Sequence, residues 1–65
     1  MFEKYTFAQF VEQSDKQIKS ELMFCEHISE RTATILHEGA EYYTGKKFDY
    51  FKPMDTLNAI KRMVV

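Results

Sequence analysis

Thr6–Glu38, TFAQFVEQSDKQIKSELMFCEHISERTATILHE, runs without a glycine or a proline, and its periodicity decides the fold class. At about 100° per residue, Phe7, Phe10, Val11, Ile18, Leu22, Phe24, Cys25, Ile28, Ile35, Leu36, Ala40 and Tyr43 share one arc of roughly half a helical circumference. Met23 alone among the large apolar residues lies opposite. Thr6 stands before the first of them, where its hydroxyl suits an N-cap. Ser14, Ser29, Thr32 and Gly39 interrupt the arc with small side chains that let another helix approach closely. The opposite face carries Glu12, Lys16, Lys19, Glu26 and Glu30. There Glu12–Lys16 helps and Glu26–Glu30 hurts, each by a few tenths of a kcal/mol. Thr44-Gly45 supplies the stop, since glycine suits the left-handed position beyond a helix end.

An unbroken helix over 7–43 would be about 55 Å long, whereas a compact domain of this size has a radius of gyration near roughly 11 Å. The helical region 6–44 therefore either pairs along its length with a second chain or breaks near residues 28–30, with Ser29 capping a second helix. Beyond it, Phe48-Asp49-Tyr50-Phe51-Lys52-Pro53 reads as a brief strand or an extended return, and Pro53 biases Lys52 away from helical geometry. A short C-terminal helix follows at about 54–64, with Leu57, Ile60, Met63 and Val64 on one face. The expected architecture is all-α: a small helical bundle or helical hairpin, one domain over 1–65, completed by a second chain. That last expectation rests on size, because a single core in so short a chain rarely supplies more than about 3–5 kcal/mol.

Composition narrows the functional classes. The net charge of -1 comes from interspersed acids and bases, so no large single-sign field is present to hold nucleic acid without sequence information. No stretch approaches the roughly 20 apolar residues of a membrane span, and the N-terminus lacks a basic region followed by an apolar core, so the expected location is cytoplasmic. Lysines outnumber arginines seven to two, and residues with A/T-rich codons dominate, as in many phages and low-GC bacteria. Cys25 is the single cysteine, which excludes an intrachain disulfide. Its place in the apolar arc predicts a buried small hydrophobe.

No constellation carries a reaction. His37-Glu38-Gly39-Ala40-Glu41 falls one histidine short of the H-E-x-x-H zinc signature, and the wheel turns His37 and Glu41 toward the polar side, which makes His37 a solvated residue near a helix C-terminus. Cys25 and His27 are two residues apart, and on a helix such residues do not face one another. No cofactor, metal or enzymatic activity is expected. The leading expectation is a protein that binds another protein or itself, as a regulator or inhibitor, through anchors drawn from Phe10, Phe24, Tyr42, Tyr43, Tyr50 and Phe51. A second class is a nucleic-acid-binding module using Lys46, Lys47, Phe48, Tyr50, Phe51, Lys52, Lys61 and Arg62, where charge would meet phosphates and rings would meet bases. The plainer reading of that segment is aromatics covering the open end of a core while the lysines stay in water. A third class is a structural or assembly subunit of a larger complex.

Overall fold

A computed structural model describes residues 2–64 as one 3-10 turn, Phe2–Lys4, followed by three α-helices: α1 (Phe7–Leu22), α2 (Glu30–Thr44) and α3 (Pro53–Met63). The three helices pack against one another, and the described residues contain no strand. The radius of gyration is 11.0 Å.

Each helix start has a local cause. Thr6 accepts from the Gln9 amide at 3.1 Å, and the Gln9 side chain accepts from the Thr6 amide at 2.9 Å, closing a reciprocal capping box. Ser29 Oγ accepts from the Thr32 amide at 3.2 Å and opens α2. Pro53 occupies the first turn of α3, where its missing N–H costs nothing. At the other end of α2, Gly45 adopts φ 72° and its amide returns to Glu41 O at 2.9 Å.

The break between α1 and α2 involves neither glycine nor proline. It begins at Met23, earlier than the 28–30 region suggested by the sequence, and the carboxylate of Glu21 organises it. Glu21 accepts from Gln17 Nε2 at 2.7 Å, from the Ser29 amide at 2.7 Å and from the Thr32 hydroxyl, so α1 clamps the first turn of α2. Those donors, led by Gln17, lower the Glu21 pKa from an ordinary 4.5 to about 2.

The break corrects the single-seam reading. Phe24 and Cys25 leave the helical register, and both are exposed, as is Leu22 at the end of α1. Glu26 and Glu30 share no helix, so their expected repulsion at i,i+4 does not arise. What remains of the seam is covered by α3 from the same chain. Phe10, Val11 and Ile18 from α1 meet Leu36 and Ala40 from α2 and Leu57 and Ile60 from α3; Ile18, Leu36, Leu57 and Ile60 are the largest fully buried side chains. Phe48 packs partly buried against this core from the α2–α3 linker.

Helices α1 and α2 approach closely at Gly39. A Cβ there would fall 2.2 Å from Phe10 Cζ and 2.3 Å from Phe10 Cε1. The Phe10 ring is itself packed by Phe2 at 5.6 Å and Tyr43 at 5.3 Å between centroids. Outside the core, Asp15 receives Lys19 at 3.0 Å and Lys61 of α3 at 3.4 Å, and the Lys19 hydrogen bond leads in holding its carboxyl below the usual range. Glu12–Lys16 forms at 3.1 Å as the spacing predicted, with both side chains well exposed and hence of small worth.

Two outcomes follow. Gly39→Ala should destabilise by about 1–3 kcal/mol through overpacking, offset in part by roughly 1 kcal/mol of helix propensity. Adding Phe10→Leu should then cost less than it does in the parent, and urea denaturation of the two single variants and the double variant measures that coupling. For Glu21 the folded pKa is the depressed one, so its contribution is fully present above about pH 4.5 and is lost as pH falls through about 2. Thermal melts across that window should therefore show a shallower acid decline in Glu21→Gln than in the parent.

Candidate functional site

His37 contradicts its sequence reading: it is buried at 4% exposure, in the middle of α2. Its Nδ1 lies 2.7 Å from Ala33 O, one turn back, while Nε2 lies 2.9 Å from Asp49 O and 3.1 Å from Thr56 Oγ1. The ring therefore ties α2 to the α2–α3 linker and to α3 at one point. Tyr50 covers it with a centroid separation of 5.0 Å, and the Tyr50 hydroxyl hydrogen-bonds Thr34 Oγ1. Thr56 Oγ1 also donates to Lys52 O at 3.3 Å, and the Phe51 amide donates to Asp49 Oδ1 at 2.9 Å. With its nitrogens engaged by the protein's own groups, His37 has neither a coordination position nor a path to solvent. It is a staple for the linker. Glu41 sits one turn along, half-buried, and among the described residues no three His, Cys, Asp or Glu side chains converge as a metal would need.

The expected partner anchors separate into two groups. Phe10 lies in the core, 6% exposed, and does not project as an anchor would. Tyr43 is half-buried, its hydroxyl placed 2.5 Å from Phe2 O and 2.6 Å from Tyr5 O, which fastens the N-terminal turn onto α2. Desolvation, followed by the neighbouring Tyr42 and Tyr5, raises the Tyr43 pKa. Tyr42 and Tyr50 are exposed, while Phe24 and Phe51 stand out at 83% and 89% exposure. Met23, the residue that the helical wheel set apart, joins them at 77%.

The basic–aromatic segment is only partly assembled as a nucleic-acid surface. Lys46, Lys47, Lys52, Lys61 and Arg62 are exposed, but Lys61 turns to Asp15, Phe48 packs on the core and Tyr50 is held over His37. Phe51 remains the one largely uncovered ring of the three. The plainer reading thus holds for Phe48 and fails for Phe51.

A groove of about 480 Å³, missed by the sequence reading, opens between α1 and α2, with Phe2, Phe10, Ser14, Thr32, Ile35 and Leu36 among its walls. No residue of α3 lines it. Its lining holds neither a charged group nor a nucleophile–base pair, so it offers shape and apolar area rather than chemistry. The surface thus contains an apolar groove, an apolar loop at Met23-Phe24 and an aromatic linker at Tyr50-Phe51. No helix among the described residues is long and apolar enough to cross a membrane.

No protein-family model matches the chain, and comparison with curated proteins and with solved structures gives no significant match, so its function has to be read from its own geometry. The staple can be tested directly. His37→Ala removes the ring from between Ala33 O and Asp49 O and should loosen the linker. A neutral imidazole has one N–H to donate, so the loss is that of one hydrogen bond, roughly 0.5–1.5 kcal/mol. Amide hydrogen exchange over residues 46–52 should quicken and the melting temperature should drop, whereas Thr56→Val, which spares the His37–Asp49 contact, should do less of both.

Proposed function

We propose that this chain is a protein-binding module that regulates or inhibits a partner protein by occupying its surface. The observation that carries the reading is the exposure of Phe24 and Phe51 in a molecule whose core is already filled. Burying a phenylalanine side chain is worth about 1.5–3 kcal/mol, so two rings left in water are an energetic resource that folding does not use. Aromatic side chains flanked by polar ones are also the usual anchors of protein interfaces. Met23 and Met54 beside them add adaptable apolar area. Catalysis has no comparable support, because the buried histidine is committed to structural hydrogen bonds and the groove lacks a reactive group.

A photo-crosslinking residue placed at Phe24 or Phe51 in the producing cells tests this reading. A discrete protein adduct is expected from either position, and none from Lys16 on the solvated face of α1. Thermal denaturation should show that Phe24→Ser and Phe51→Ser variants melt like the parent, since neither ring supports the core. Equal labelling from positions 16, 24 and 51, or none from any of them, removes the proposal.

A further inference from the structure

The two exposed aromatic patches differ in charge. Residues 1–45 hold Glu3, Glu12, Asp15, Glu21, Glu26, Glu30, Glu38 and Glu41 against Lys4, Lys16, Lys19 and Arg31. From residue 46 onward the balance reverses, with Lys46, Lys47, Lys52, Lys61 and Arg62 against Asp49 and Asp55. A formal net charge of -1 thus conceals an acidic α1–α2 hairpin joined to a basic linker and α3, which corrects the reading of the acids and bases as interspersed throughout. The apolar residues follow the same division. Met23 and Phe24 project from the hairpin loop with exposed Glu26 and Glu30 nearby in the chain, against Lys19 and Arg31. Tyr50, Phe51 and Met54 project from the segment that carries Lys46, Lys47 and Lys52 against Asp49 and Asp55, so the opposite signs belong to the hairpin and the linker–α3 unit as wholes.

We propose that the partner is a second copy of this chain, with the acidic Met23-Phe24 loop of one molecule seated on the basic Tyr50-Phe51 linker of the other. This inference rests on the protein-binding reading and names its occupant. Each patch offers what the other lacks: large apolar side chains to exclude water, and charges of opposite sign around them to orient the approach. The loop and the linker cannot satisfy both needs with a like patch, because loop against loop sets glutamates together and linker against linker sets lysines together. Single-stranded nucleic acid suits the linker less well, since one largely uncovered ring gives little stacking and the loop is left unused. An anionic lipid surface would attract the linker but repel the glutamates beside Phe24.

Charge exchange tests the pairing. Sedimentation equilibrium of the parent at low ionic strength should give an average mass above that of one chain, falling toward it as salt is raised. The variant Lys47→Glu/Lys52→Glu has two acidic patches, and Glu26→Lys/Glu30→Lys has two basic ones. Each alone should sediment as a monomer, and an equimolar mixture should regain the parent's association because both cross-contacts are again complementary. Thermal melts of both variants confirm that they fold, and the parent's own mass decides the matter if either does not. A parent that stays monomeric at every concentration, or folded variants whose mixture stays monomeric, overturns the self-pairing. A crosslink from position 24 to a different protein would overturn it too while leaving the protein-binding reading intact.

Discussion

The contact of the Phe10 ring with the backbone of Gly39 sets the spacing on which the rest of the bundle depends. With the ring tip where a Cβ would otherwise stand, α1 and α2 approach closely at that level. Phe2 meets Phe10 edge-on, Tyr43 lies against it, and Phe7 reaches Tyr43 at 5.7 Å, so the upper end of the hairpin is an aromatic cluster built outward from one contact. At the lower end Glu21 fixes the pair by polar means, receiving donors from the first turn of α2. Between these two points Ile18, Leu36, Leu57 and Ile60 close the core with α3 in the remaining gap. A short chain reaches a complete interior because its longest apolar stripe is folded in two.

The helical class, the capping roles of Thr6 and Ser29, the stop at Gly45 and the start near Pro53 were all legible, since each depends on a residue and its immediate neighbours. The extent of the break was not. Apolar residues continue in helical phase through Leu22, Phe24, Cys25 and Ile28 by coincidence of spacing, while the force that turns the chain comes from a carboxylate bonded to residues eight and eleven positions onward. Periodicity registers neighbours at three and four, so a side-chain clamp of that span leaves no trace in it. For this reason periodicity places Cys25 in the interior, whereas its exposure follows directly from the turn.

His37 was misread for a related reason. On a wheel built from large apolar residues it falls to the polar side, yet the small residues Ala33, Ala40 and Thr44 flank it at helical spacing, and its own ring reaches Thr56 of α3. Small residues mark a close approach as surely as large ones mark a core, and a neutral histidine among them is buried at low cost when its one N–H has an acceptor. One partner, Ala33 O, was predictable from the helix. The other, Asp49 O, comes from a linker with no periodicity of its own, so nothing local announced it.

The same staple explains why the linker can present Phe51. The residues around it are held through Asp49 O on His37, Tyr50 on Thr34 and Lys52 O on Thr56, so the chain on both sides of the ring is anchored while the ring is in water. A ring on a tethered backbone loses less conformational freedom on binding than one on a loose loop, and more of its burial energy then appears as affinity. Among the described residues no buried side-chain nitrogen or oxygen lacks a partner, so the interior makes no demand on this surface. Folding therefore draws on only part of the aromatic set: Phe10, Phe48 and Tyr43 turn inward and pack in or against the core, whereas Phe24 and Phe51 stand outside it.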